Sequence, residues 1–438
     1  MMFLRSAPLA ATANALRTGQ LDLLDYIEET CQRVEVLDGQ LRALLPEPDR
    51  RTRLQREALA LQARFPDPAS RPPLYGVLIG VKDIYNVNGF LTRAGSPLPP
   101  DLLTGAEAWC VSILKSQGAL ILGKTVTAEF AYADPGPTRN PHNLEHTPGG
   151  SSSGSAAGVA AGFCSLALGT QTIGSVIRPA AYCGIVGFKP SYGRIPMDGI
   201  IHFSVSLDHV GMFTQDVAGM TLAASLLCRN WHPLTNGAES LPVLGVPTGA
   251  YLQQASPVAL ESLERAVKSL ENAGYTVRRV PALDDIKTVA MHTARLMKAE
   301  AADVHAAWFG QFESLYGPWI AGAVREGRTV STEQRAIDLS FQQQTRVDME
   351  ALMKANQIDL WMTPAATGPA PYSIASTGDS AMNLPWTLVG FPTIALPAGK
   401  TADGLPLGLQ FSAPFMADEK LLGWSEHLEK KLTLSANA

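Results

Sequence analysis

Two periods of apolar residues run through the chain, and they fall in different places. Leu24, Ile27, Cys31 and Val34 recur every three or four positions, which predicts a surface-packed helix over Leu21–Leu37. The polar stretch PEPDRRTRLQREALALQARFPDPASRPP has a helical middle and a proline-rich end that predicts a loop. Short unbroken apolar runs at Val77–Val81 and Leu120–Leu122 predict buried strands, with a helix over 106–117 between them. Ala156–Ala167 is small and apolar, suited to a helix packed closely on a sheet. After Pro242 a new strand–turn unit begins at VLGVPTG, and Pro257–Glu350 is mostly helical in pattern. Its aromatics Trp308, Phe309, Phe312, Tyr316 and Trp319 suit interhelical packing, or in part the wall of a cleft. Strand-like runs return at DLWMTP, TIALPAG and LGLQF. This alternation predicts an α/β layer fold. Nothing marks a linker or a repeat. The expectation is one domain over 1–438, with its motif-rich core at about 74–217 and a helical excursion at about 257–350.

Composition narrows the function. The 438 residues are 46% hydrophobic, enough for a large core. A net charge of −5 without any basic block argues against nucleic-acid binding by charge. Cys31, Cys110, Cys164, Cys183 and Cys228 are scattered and form no CxxC pair, which fits free thiols in a reducing compartment. No apolar run of signal-core or membrane-spanning length occurs, so a cytoplasmic protein off the membrane is expected.

The chemistry concentrates between Gly149 and Ser175, in GGSSSGSAAGVAAGFCSLALGTQTIGS. Two glycine–serine clusters present Ser151 and Ser175. Upstream, Lys82 ends the apolar run of LYGVLIGVKDI. Glycines let a backbone come close to a reacting carbonyl and aim N–H groups at it. An aliphatic setting disfavours an ammonium and lowers the pKa of lysine. These are the parts of a serine hydrolase whose base is lysine.

With these segments the chain resembles the amidase signature family. The resemblance runs from LRTGQLDLLDYIEETCQRVEVLDGQLRAL through GKTVTAEFA and TRNPHNLEHTPGGSSSGSAAG. It continues through GTQTIGSVIRPAAYCGIVGFKPSYGRIP and SLDHVGMFTQDV to NLPWTLVGFPTIALPAG and GLPLGLQF. It implies a large mixed β-sheet flanked by helices on both faces, with the helical excursion covering the site. It also implies Ser175 as nucleophile, Ser151 as bridging serine after a cis Gly150–Ser151 bond, and Lys82 as base. The oxyanion would sit on backbone N–H groups of Thr172, Ile173, Gly174 and Ser175. The implied activity is hydrolysis of a linear carbon–nitrogen amide through a seryl acyl-enzyme, without metal or cofactor. Alternatives are a carbamate or urethane hydrolase, and a glutaminase-type subunit of a tRNA-dependent amidotransferase. The expected partner is a small amide or carbamate, and a homo-oligomer is compatible. The substrate-binding residues stay unassigned, with Phe130–Ala133 and the helical region near 300–345 expected to shape them.

Three positions depart from the family's usual GTDTGGSIR. Ile173 replaces a glycine, Gln171 replaces an acid, and Arg178 stands one residue late. The isoleucine is expected to narrow the site. Three other patterns compete. GALILGKT at Gly118–Thr125 fits a phosphate-binding loop, but its aliphatics predict a strand. GSSSG fits a nucleophile elbow centred on Ser152, but PHNLEHTP before it cannot be a strand. His142 and His146 are four apart, but in a proline-rich segment rather than on a helix. His209 is expected to pack and hydrogen-bond within its motif.

Overall fold

The computed structural model describes residues 2–234 and 240–436. Ten strands form one mixed sheet: β1 (Leu78–Lys82), β2 (Leu120–Thr125), β3 (Leu166–Gln171), β4 (Val186–Lys189), β5 (His209–Thr214), β6 (Leu244–Thr248), β7 (Val277–Pro281), β8 (Leu360–Pro364), β9 (Thr393–Lys400) and β10 (Pro406–Ser412). Their spatial order is β2-β1-β3-β5-β4-β9-β10-β8-β6-β7. β1 runs parallel to both β2 and β3, while β3, β5, β4, β9, β10 and β8 pair antiparallel in succession. β6 is parallel to β7 and β8. The chain therefore leaves β1 to one side and returns to its other side. In parallel α/β sheets such a reversal opens a crevice at the carboxyl ends of the strands.

The apolar periods fold as read at several places. Leu23–Leu41 is a helix that buries Leu23, Ile27, Cys31, Val34 and Leu37, capped by Asp22, whose carboxylate accepts the N–H groups of Leu24 and Asp25. Arg50–Arg64 is the helix inside the polar stretch. Every residue of β1, β2 and β3 is buried, as unbroken aliphatic runs require. The GALILGKT segment is thus strand β2, and its N–H groups serve the sheet rather than a phosphate.

Two elements differ from the sequence reading. The helix expected over Ala156–Ala167 is Ser153–Ala160 only, and Leu166 already opens β3. Gly162 adopts a left-handed φ of 66° just past the helix, which ends it. A run of small apolar residues buried on all sides carries no period that could mark this boundary. The mostly helical stretch after Pro257 also contains β7, an edge strand of five residues with partly exposed arginines. Its helices follow as Ile286–Val304, Ala306–Phe312, Pro318–Gly327 and Thr332–Ala355. Their aromatics pack mainly on one another. Phe130 stacks on Tyr316 and meets His305 edge-on, while Phe309 meets Tyr316 edge-on. Trp319 lies apart, largely exposed.

Candidate active site

Lys82 is the last residue of β1, and Thr170 lies near the end of its parallel neighbour β3. Parallel pairing brings both carboxyl ends to one edge. Lys82 is 0% exposed. Its Nζ donates to Ser151 Oγ at 2.8 Å and to Thr170 Oγ1 at 2.9 Å. Burial lowers the Lys82 pKa to about 7, with Asp208 opposing part of the shift. A neutral amine is therefore available near neutral pH, held against two hydroxyls.

Ser151 comes from the turn before the helix Ser153–Ala160, and the Gly150–Ser151 peptide is cis. Glycine is required at two positions here. Gly149 has φ 81°, and a Cβ on it would stand 2.8 Å from Pro179 Cα. A Cβ on Gly154 would stand 2.1 Å from the Ala43 carbonyl oxygen. The neighbouring serines stitch the turn to the sheet. Ser152 Oγ donates to the Thr170 carbonyl at 3.2 Å and accepts the Thr170 N–H at 3.3 Å. Ser155 Oγ donates to the Leu168 carbonyl at 2.8 Å. Ser152 is thus buried in a positioning role, and no strand leads into it as an elbow would require.

Ser175, 8% exposed, closes the loop that follows β3. It lines a cavity of about 140 Å³ together with Thr172, Ile173, Gly174 and Arg178. No acceptor among the described residues takes the backbone N–H groups of Thr172, Ile173, Gly174 or Ser175. Buried N–H groups are seldom left unpaired, so this wall suits an incoming oxygen. The structure brings Lys82 and Ser151 together. It sets Ser175 in the cavity wall, without a hydrogen bond to Ser151 in this state.

Two of the three departures from the family pattern, Gln171 and Ile173, have structural consequences visible at once. Gln171 Oε1 accepts the N–H groups of Val176 at 2.9 Å and Ile177 at 3.0 Å. Its Nε2 donates to Thr387 Oγ1 at 2.9 Å, and that hydroxyl donates to the Ile173 carbonyl at 2.8 Å. An amide can serve as acceptor and donor at once. A carboxylate would instead compete with the Ile173 carbonyl for the single Thr387 proton. Ile173 needs no positive φ and lines the cavity. We expect Gln171→Leu to orphan two buried N–H groups and to destabilise the fold by about 2–4 kcal/mol, read from urea denaturation at unchanged slope.

Sequence reading missed several contributors. Thr170 is the second hydroxyl on Lys82, and Thr387 holds the loop from across the fold. Asp208 Oδ1 accepts from Thr172 Oγ1 at 2.6 Å, while its Oδ2 accepts the Phe203 and Ser204 N–H groups. Tyr132 stacks on Phe203 with ring centroids 4.5 Å apart, and both line the cavity. Of the expected shaping segments, Ala131–Ala133 lines it, whereas the helical region contributes Met297 rather than residues 300–345. A polar residue ending an apolar strand was the one local signal, for Thr170. The three histidines singled out from the sequence turn elsewhere: His142 Nε2 meets the Cys183 carbonyl, His146 Nδ1 that of Ala370, and His209 Nδ1 that of Leu207, whereas His202 Nδ1 lies 3.2 Å from Asp208 Oδ2. A larger cleft of about 350 Å³ lies between Leu61, Phe90 and Ile121. It carries no serine and no unpaired N–H run, so the smaller cavity is the candidate site.

A buried lysine on a serine, beside a second serine among unpaired N–H groups, defines the equipment of a hydrolase acting at a carbonyl. The sequence model of the Amidase family matches residues 25–422. A glutamyl-tRNA(Gln) amidotransferase chain from Thermus thermophilus is 32% identical over 92% of this chain and 93% of its own. A crystal structure described as an amidase matches with TM-score 0.86 and 30% identity, covering 97% of this chain and all of the other. A third match, TM-score 0.86 and 26% identity over 98% of both chains, comes from a vestigial protein complex reported to reveal the origins of an s-triazine catabolic enzyme. The chain belongs to the amidase signature family, and it is an amide-hydrolysing enzyme. Among the described residues no helix is long and apolar enough to cross a membrane.

Proposed function

We propose that this enzyme hydrolyses a small linear amide through a seryl acyl-enzyme, with Ser175 as nucleophile, Ser151 as proton bridge and Lys82 as base. The observation that carries the reading is the buried Lys82–Ser151 contact at 2.8 Å, with the lysine pKa lowered to about 7. Neutral Lys82 donates to Thr170 and accepts the Ser151 proton. Ser151 takes the proton of Ser175 as Ser175 Oγ bonds to the carbonyl carbon. This relay requires Ser175 Oγ to turn towards Ser151 when substrate binds, a tightening common in hydrolases. The oxyanion is held by N–H groups of the 172–175 loop. As the carbon–nitrogen bond breaks, the proton returns from Lys82 through Ser151 to the leaving amine. Water then repeats the cycle on the ester and releases the acid. No histidine takes part in this proton relay.

The relative from Thermus thermophilus favours a second reading, an amidotransferase component that releases ammonia for a partner. A carbamate hydrolase would use the same residues. Turnover of aryl, alkyl and dicarboxylic amides and of carbamates by the purified chain separates these readings. We expect hydrolysis of amides by the chain alone. Hydrolysis seen only with a partner chain would select the amidotransferase reading, and carbamates turned over in preference to every amide would select the third.

A further inference from the structure

Asp208 is a buried carboxylate, 4% exposed, that the relay does not use. It immediately precedes β5, whose antiparallel pairing of His209 with Gln171 sets it across from Thr172, just past the end of β3. Four donors converge on it. Oδ1 accepts from Thr172 Oγ1 at 2.6 Å, and Oδ2 accepts the N–H groups of Phe203 at 2.8 Å and Ser204 at 3.0 Å. The fourth is His202 Nδ1, at 3.2 Å from Oδ2. A carboxylate can only accept, so the proton of this contact lies on Nδ1. Among the described residues no lysine or arginine forms an ion pair with Asp208, and His202 is its partner for that role. Thr172 opens the loop that ends at Ser175, and Phe203 belongs to the cavity wall. Two residues before Thr172, Thr170 accepts from Lys82 Nζ, and the Asp208 charge acts on that ammonium.

The His202 side chain is 28% exposed, so solvent can exchange its proton. The hydrogen bond to Asp208 raises its pKa above 6.5, burial opposes, and the charges of Asp208, Glu300 and Asp198 add to the rise. It therefore titrates in the range where Lys82 does. Glu300 stands on the helix Ile286–Val304 and faces Arg335 at 3.6 Å. Tyr85 and Tyr192 also feel Asp208, but burial raises both above 10, so they stay neutral through this range.

We propose that His202 is a positioning residue for the reaction: it clamps Asp208 onto the 172–175 loop and, when protonated, offsets the Asp208 charge, so that Lys82 becomes available as a base at lower pH than it otherwise would. His202 exchanges no proton with the substrate. The inference rests on the reading of Lys82 as base and Ser175 as nucleophile, and the test separates the two.

The rate at which a small alkyl fluorophosphonate labels Ser175 is followed against pH, a readout that needs no known substrate. His202→Asn keeps an N–H donor for Asp208 and removes the titrating charge. We expect its midpoint to move up by about 0.5 pH unit, with a plateau rate within about threefold of native. His202→Ala loses the donor too, so the midpoint should move likewise and the plateau should fall by about 10-fold, the lower end for a hydrogen bond to a charged group. Asp208→Asn should move the midpoint the other way, down by about one unit, because Lys82 loses the charge that favours its ammonium. Loosened packing of the loop would instead lower the rate at every pH and move no midpoint. His202 variants whose midpoints stay at the native value, or move down, overturn the inference and leave the Lys82 relay standing, whether or not Asp208→Asn folds. A native chain unlabelled at Ser175 at every pH, or a rising limb that persists at full height in Lys82→Met, fails the catalytic reading itself, and the inference falls with it.

Discussion

Ser175→Ala lowers amide hydrolysis by about 10⁴- to 10⁶-fold, the scale on which removing the nucleophile of a serine hydrolase acts. The fold survives, because the Ser175 hydroxyl has no hydrogen-bond partner among the described residues and only a small cavity is enlarged. Thermal unfolding should therefore shift by no more than a degree or two. A fluorophosphonate probe should label the native chain at Ser175 and fail on the variant. Labelling at Ser152 would point to an elbow nucleophile and refute the scheme. The structure argues against that outcome, since Ser152 is buried and its hydroxyl is engaged with both the N–H and the carbonyl of Thr170.

For Lys82→Met the loss is also expected to span orders of magnitude, because the variant keeps the apolar stem and removes the proton acceptor. Native activity carries the matching pH signature. In the proposed scheme Lys82 acts as the neutral amine, so kcat/KM should be low where it is protonated and rise with pH. The lowered pKa puts the midpoint near 7 rather than at the ordinary lysine value of 10.5, and activity should level off above it. The cause of the shift fixes its sign: burial disfavours the ammonium, while Asp208 favours it and loses. Single replacements of His142, His146 and His209 should leave this rising limb in place. If one of them abolished both the limb and the activity while Lys82→Met stayed active, histidine would be the base.

The local pattern was enough for much of the scaffold. Leu24, Ile27, Cys31 and Val34 could only share a face on a helix, and they do. The aliphatic runs at Val77–Val81 and Leu120–Leu122 could only be satisfied between neighbouring strands, and both are buried in β1 and β2 and the residue before β1. Gly149, at φ 81°, stands where a side chain would collide with Pro179. What failed locally was the end of the helix after Ser153, where small buried residues give no period, and the short edge strand β7 within a helical stretch.

The sequence by itself determined the segments and the residue types of the site, since glycine turns, buried strands and a lysine at a strand end are properties of a few adjacent residues. It also carried the family, through motifs kept in order along the chain. Only the tertiary structure decided which of those groups meet. Lys82 reaches Ser151 across 69 residues and Thr170 across 88, because parallel pairing of β1 and β3 sets their carboxyl ends side by side. The Lys82 pKa is lowered by the burial of its ammonium in the folded chain, with Asp208, 126 residues away in sequence, opposing part of the shift. The cavity around Ser175 likewise has a wall drawn from residues 131–133, 203, 297 and 377–380, which no local pattern could have assembled.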